Sequence, residues 1–270
     1  MQAYAGVSVV NALPSWYGSS MAINVKVDVK IRESKECATH PSQLVNEIVL
    51  YFRENYNIPC IEVEINSEIP PKSGLKSSSA VSSALIGEIA EKFQLPIKAW
   101  DVPVLSAILS LKSRVSYTGA LDDASASYFG GVSYTYNKEF KIIDMKEPPS
   151  EISIIVIPRG KRSVSVDMTR LRKFEPLFKE IFTLARHDVI TAMKLNGLAV
   201  GIIMGYDLTL ANEALKKGAL AAGISGNGPS MFAVTKIGNE GVILDLFEKQ
   251  AEKPIVVQPV GLCEQRLRNR

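Results

Sequence analysis

The chain has 270 residues, 46% of them hydrophobic and 22% charged, with a formal net charge of +3. A chain this long buries about 73% of the surface its extended form exposes, so one large or two modest domains fold without staples, and the ordinary apolar fraction excludes intrinsic disorder. The mild, interspersed charge does not advertise a nucleic-acid partner, and the longest apolar stretch, near 197–206, is about half of what a membrane helix needs.

Residues 1–17 carry neither a basic segment nor a long apolar core, so no signal peptide is expected. The three cysteines, Cys37, Cys60 and Cys263, are scattered and include no CxxC pair. That pattern suits a reducing cytoplasm and argues against a disulfide framework or a zinc cluster. Cys37 and His40 have metal-like spacing but no second pair, and His187 beside Asp188 has no nucleophile elbow to serve.

In chain order, residues 22–31 alternate as a strand, with Ile23, Val25, Val27, Val29 and Ile31 on one face. Residues 44–56 have helical spacing, with Leu44, Ile48 and Phe52 about one turn apart. A strict period-two strand follows at 61–66 and ends at Pro70 and Pro71. Gly74 and a serine run then open a helix carrying Val81, Leu85 and Ile89, and a second helix is expected at about 104–115. Residues 117–131 read as turn-rich and lead into a strand at 132–136.

Glu-Pro-Pro-Ser at 147–150 is the best linker, which places domains at 1–149 and 150–270. Beyond it a buried strand is expected at 152–157 and a helix at 176–192. Glycines at every fourth position from 197 to 205 predict close backbone packing against a neighbour. A helix at 209–220, a glycine-rich turn at 223–230, a strand at 231–235, a helix at 242–250 and a strand near 254–259 complete the chain. Interleaved strands and helices in both halves give a two-lobed α/β or α+β class.

Three segments carry chemistry. Lys-Ser-Gly-Leu-Lys-Ser-Ser-Ser-Ala at 72–80 enters a helix, where unpaired backbone N–H groups and their partial positive charge suit phosphate oxygens. Gly74 permits close approach, Lys76 adds a charge, and the serine hydroxyls can bond phosphate or magnesium. The bland alternative is an ordinary serine N-cap. The Walker pattern GxxxxGK[ST] occurs nowhere in the chain. Asp122 and Asp123 are adjacent acids among small residues, suited to a metal or to a hydroxyl proton, or equally to a plain turn. Ser225, Gly226, Asn227 and Gly228 lie in a glycine loop able to present amides to an anion. A basic strip, with Arg159, Lys161, Arg162, Arg170, Arg172 and Lys173 against Asp167, reads either as a solvated surface or as a cradle for an anionic ligand.

Taken in order, Gly-Leu-Lys-Ser-Ser-Ser-Ala at 74–80, Asp-Asp-Ala-Ser-Ala-Ser-Tyr-Phe-Gly-Gly at 122–131 and Ser-Gly-Asn-Gly-Pro-Ser at 225–230 resemble the ordered motifs of the GHMP small-molecule kinases. Val-Ser-Tyr-Thr-Gly-Ala-Leu-Asp-Asp-Ala at 115–124, with Asn-Ala-Leu-Pro at 11–14 and Gly-Ser at 18–19, is most similar to the archaeal-type shikimate kinases. The resemblance implies an α+β, two-lobed GHMP-kinase fold, with mixed sheets, helices packed on them and a ferredoxin-like C-terminal lobe. It implies transfer of the γ-phosphoryl group of ATP, with Mg2+, to a small hydroxylated carboxylic acid, shikimate, in the cytoplasm. Neither nucleic acid nor membrane is expected as a partner, and a homodimer is compatible with the sequence.

By the same resemblance, Gly74, Leu75, Lys76, Ser77, Ser78 and Ser79 wrap the nucleotide phosphates, in a nucleotide-binding lobe at 1–149. Asp123 is the catalytic carboxylate, Ser78 and Asp122 stand near the metal, and Ser225, Gly226, Asn227 and Gly228 line the substrate and phosphates. Arg159 and Arg162 are the candidates for the substrate carboxylate. The chain also departs from its relatives. No lysine or arginine occurs in 3–21, Lys112 stands near where relatives carry a glutamate metal ligand, and Lys76 replaces a glycine of the phosphate loop. Homoserine or a mevalonate-type alcohol is the alternative substrate, a decarboxylase of the same superfamily is another reading, and an RNA-binding module represents a different class.

Overall fold

The computed structural model describes residues 1–70, 74–160, 166–249 and 253–268. Its first element is a strand that alternation does not reveal, β1 (Gln2–Val10), because every residue from Ala5 to Val10 is buried. Asn11 then accepts a hydrogen bond from the Leu13 N–H and caps the single turn α1 (Ala12–Ser15). The chain reverses through Trp16 into the long strand β2 (Tyr17–Glu33), which pairs antiparallel with β1.

Next come α2 (Gln43–Tyr56), β3 (Ile61–Ser67), α3 (Ser77–Lys92), α4 (Asp101–Lys112), α5 (Leu121–Phe129), β4 (Val132–Tyr136) and β5 (Lys141–Lys146). The first sheet runs β1-β2-β4-β5, with β3 added on the far half of β2. The segment expected to be turn-rich is therefore largely the helix α5. All nine of its residues are buried. A helix enclosed on every side needs small residues all round, and its alanines and serines erase the periodicity that marks a surface helix.

The second sheet follows with β6 (Ile152–Ile157), α6 (Met168–Arg172), α7 (Glu175–Ala185), α8 (Val189–Met204), α9 (Thr209–Lys216), β7 (Ala221–Ile224), β8 (Met231–Lys236), α10 (Gly241–Glu248) and β9 (Ile255–Val257). Its order β7-β8-β6-β9 is the ferredoxin-like arrangement. The class is α+β in two lobes, but the expected mixing of strand directions is not found: each ladder between the described strands is antiparallel. The reason is topological. In the second sheet the crossover from β6 to β7 skips one position, filled by β8, and that from β8 to β9 skips one, filled by β6, and each filling strand runs antiparallel to its neighbours.

The expected helix at 176–192 is two helices. Asp188 stops the continuous reading by accepting from the Thr191 N–H as the cap of α8, which also occupies the carboxylate beside His187. Gly197 packs backbone to backbone on β7, where a Cβ would come within 2.9 Å of Gly223 Cα. After β9 the chain returns to the first sheet, where Val260 N–H bonds Ala22 O and Cys263 N–H bonds Phe129 O. The last helix, α11 (Glu264–Arg268), sends Arg266 to the carbonyls of Tyr128 and Gln2. One apolar core runs through both sheets.

One expectation about the cysteines is corrected. Cys37 and Cys60 form a disulfide joining the loop before α2 to the start of β3, and Cys263 is free. Scattered spacing hid the pair because the partners stand 23 positions apart, with helix and loop between them, although their Cα atoms lie 4.9 Å apart. No helix of the described residues is long and apolar enough to cross a membrane.

Candidate active site

The phosphate-type loop turns on two residues with positive φ, Gly74 (φ 70°) and Lys76 (φ 63°). Between them Leu75 is buried, and its carbonyl accepts from Gly6 N–H of β1, tying the loop to the first sheet. Lys76 occupies the N-cap of α3, and no side chain caps that end. The ordinary serine cap is thus not what the serine run forms. The first-turn amides of Ser77, Ser78 and Ser79 lack helical acceptors and carry the positive end of the helix dipole. Ser78 is exposed and Ser79 buried.

A second helix end faces the same space. Ala120, in left-handed conformation, precedes α5, whose first turn carries Asp122 and Asp123 and likewise has no side-chain cap. Lys76 Nζ lies 3.0 Å from Asp123 Oδ2. The Ser20 hydroxyl of β2 donates to the other oxygen, Asp123 Oδ1, and lies 3.5 Å from Asp122 Oδ2. Asp122 Oδ1 accepts from the Asn137 amide at 2.9 Å, and Asn137 is itself held by the Thr135 hydroxyl at 2.6 Å. Burial, and next the neighbouring Asp123 charge, push the Asp122 carboxyl up to about 7, with Lys76 and the Asn137 bond opposing.

The glycine loop forms the opposite wall. Gly226 and Gly228 have φ of 59° and 69°, conformations that side chains resist. The loop is anchored from two directions, by Asn11 and by Tyr206. Asn11 Nδ2 donates to Asn227 Oδ1 at 2.8 Å and to Gly226 O at 3.3 Å, Asn196 Oδ1 accepts from the Asn11 N–H, and the Tyr206 hydroxyl donates to Asn227 O at 2.7 Å. The buried Ser225 hydroxyl makes no hydrogen bond among the described residues.

All three segments enclose one cavity of about 340 Å³. Gly74, Leu75, Lys76, Ser77, Ser78, Ser79, Asp122, Asp123, Ser225, Gly226, Asn227 and Gly228 all line it. Arg159 does not line it, although its backbone N–H reaches Ser230 Oγ at 3.4 Å, next to Gly74. Arg162 and Lys161 lie outside the described residues. Elsewhere in the basic strip, Asp167 caps α6 and Arg172 lies over the Trp16 ring at 4.4 Å, so these two serve local structure. Lys112 pairs with Glu47 on the outer helices, away from the carboxylates.

Sequence reasoning missed Ser20 and Asn137 as supports of the acids. Gly18-Ser19 and Asn11 stand out in the sequence only through the resemblance to the archaeal-type shikimate kinases. The rule that a buried carboxylate needs donors is the signal that would have prompted a search for them.

A metal was expected near Ser78 and Asp122. Both Asp122 oxygens face protein donors, at 2.9 and 3.5 Å, and the carboxyl abuts Gly18, so this residue does not fit a metal ligand. Among the described residues no group of three or more His, Cys, Asp or Glu is arranged to hold an ion. The exposed Ser78 hydroxyl fits a Mg2+ that arrives on nucleotide phosphates and keeps several waters.

Comparison with known proteins agrees with this geometry. Residues 43–131 match the GHMP kinases N terminal domain. The shikimate kinase of Methanobrevibacter smithii is 36% identical over 247 residues, covering 84% of each chain. That of Archaeoglobus fulgidus is 36% identical over 234 residues, covering 86% of this chain and 82% of its own. The crystal structure of Methanococcus jannaschii mevalonate kinase superposes with a TM-score of 0.73 over 96% of this chain and 98% of that one, at 14% identity, a likeness of fold alone. The chain therefore belongs to the GHMP kinases, phosphotransferases acting on an alcohol group, in the family of the archaeal shikimate kinases.

Proposed function

We infer that this protein transfers the γ-phosphoryl group of ATP to shikimate, giving shikimate 3-phosphate and ADP in the route to chorismate and the aromatic amino acids. The observation that carries the chemistry is that one cavity joins the uncapped end of α3 to the Asp123 carboxylate. The substrate follows from the shikimate kinases, which match at 36% identity over most of the chain.

Phosphoryl transfer asks mainly for positioning and charge neutralisation. The amides of 77–79 and the turn at Gly74 receive the nucleotide phosphates, as at other helix N-termini. Asp123 orients the attacking hydroxyl and takes its proton as the new O–P bond forms and the bond to the β-phosphate oxygen breaks. Ser20 fixes one Asp123 oxygen, leaving the carboxylate little rotational freedom. Asp122 supports this arrangement from beneath. Mg2+, carried by the nucleotide and touched by Ser78, would neutralise phosphate charge. The loop at 225–228 closes the substrate side, and Arg159, which does not line the cavity, is not assigned to the substrate carboxylate.

The test is ADP release from purified protein with Mg-ATP and shikimate, homoserine or mevalonate supplied separately. Turnover with shikimate well above the other two is expected. Clear turnover of another alcohol without shikimate turnover would overturn the substrate assignment.

A further inference from the structure

Lys76 breaks two local rules at once. A long side chain sits at φ 63°, ψ 30°, where the left-handed backbone costs an L-residue about 1 kcal/mol or more. It also occupies an N-cap, where Ser, Thr, Asp or Asn would satisfy the helix amides and a lysine, which has no acceptor, cannot. Glycine would relieve the first problem and a hydroxyl residue the second. Conformations of this kind persist where the side chain is needed.

The course of the side chain shows what it is needed for. Its Cγ lies 3.5 Å from where a Cβ on Gly6 would stand, and its Nζ 3.1 Å from where one on Gly226 would stand. The stem thus passes through a groove left open by two glycines, one on β1 and one on the substrate-side loop. It ends at Asp123 Oδ2, 3.0 Å away, with the side chain 15% exposed. Among the described residues lining the cavity it is the single cationic side chain. One short loop thus presents both the phosphate-facing amides and the cation bound to the proposed base.

We propose that Lys76 is a catalytic residue that pairs with the Asp123 carboxylate in the resting site and passes its charge to the transferred phosphoryl group during reaction. As the alcohol oxygen attacks phosphorus, its proton moves to Asp123 and the bond from phosphorus to the β-phosphate oxygen breaks, releasing ADP. Protonation neutralises Asp123 and weakens its hold on Lys76. The ammonium then faces phosphoryl oxygens whose charge it can balance in a site sheltered from water. The strained backbone sets the geometry, since it starts the side chain back across the mouth of α3 toward α5. The role rests on phosphoryl transfer to an alcohol and not on which alcohol is used.

The test compares wild type with Lys76→Gly, Lys76→Met and Lys76→Arg, using whichever of shikimate, homoserine or mevalonate the wild type turns over. Failure of the shikimate reading then appears in the wild type, and failure of this proposal in the variant-to-wild-type ratios. Lys76→Gly removes the strain together with the charge, so its Tm should equal or exceed that of wild type, with ATP binding by calorimetry weakened only several-fold. Its kcat should nevertheless fall by about 100-fold or more. Methylammonium should restore part of the lost rate to Lys76→Gly, Lys76→Arg should retain more activity than Lys76→Met, and both should bind ATP. A stable Lys76→Gly protein with kcat within threefold of wild type would overturn the proposal. So would a rate loss with no response to methylammonium.

Discussion

The carboxyl group of Asp122 occupies the space that a side chain on Gly18 would need: a Cβ built there would lie 2.6 Å from Asp122 Cγ. Gly18 is on β2 and Asp122 in the first turn of α5, so this contact sets how closely the acidic turn approaches the sheet. The φ of Gly18 is not in the left-handed region, so the constraint is purely steric. Gly18→Ala should push the acidic turn outward and lower stability by about 1–3 kcal/mol, as overpacked sites do. Denaturant unfolding would measure this, and kcat should fall alongside. An unchanged midpoint with normal turnover would show that α5 can move without consequence.

Asp122 also predicts a pH dependence of stability. Its folded value of about 7 lies above the ordinary 3.8, and burial is the main cause. The folded protein therefore keeps a proton that the unfolded chain releases. Raising the pH between those two values destabilises the fold, and the loss is complete once the pH passes the folded value. Asp122→Asn removes the titrating group while still offering an oxygen to the Asn137 amide. Its unfolding free energy should decline less than that of wild type between pH 5 and 8. Parallel profiles for the two proteins would contradict the assignment.

Asp123→Asn should separate chemistry from binding. With the base removed, kcat should fall by about 10²–10⁴ while ATP affinity changes little, because the phosphate amides on α3 are untouched. Single-turnover kinetics with nucleotide-binding calorimetry would check both halves. A near-normal kcat would remove Asp123 from its role.

The 225–228 loop depends on Asn11, which reaches it at 2.8 and 3.3 Å. Asn11→Ala removes both bonds and should raise the KM for the alcohol about five- to tenfold, at the roughly 1–1.4 kcal/mol typical of a buried hydrogen bond. Steady-state kinetics at saturating ATP would read the change. An unaltered KM would mean that Tyr206 and the strands alone hold the loop.

Much of this site was legible because its segments advertise local backbone needs. Gly74, Gly226 and Gly228 sit where positive φ is required, and Asp122 and Asp123 stand out as charges in an uncharged stretch. What stayed hidden depends on distant parts of the chain. Ser20 and Asn137 meet the acids only because β2, α5 and β4 pack together, and nothing near either residue in sequence signals that meeting. The strand β1 and the helix α5 lost their periodicity to burial on all sides. The same reasoning explains Lys76. In sequence it reads as one more phosphate-facing charge, whereas its backbone conformation directs it to Asp123.

The central claim is phosphoryl transfer to a shikimate hydroxyl, and the most direct measurement is phosphorus NMR of wild-type protein incubated with Mg-ATP and shikimate. A new phosphomonoester resonance, coupled to the ring proton at carbon 3 and growing one for one with ADP, is the predicted result. ADP accompanied only by inorganic phosphate, or a phosphoester formed with homoserine or mevalonate but never with shikimate, would contradict it.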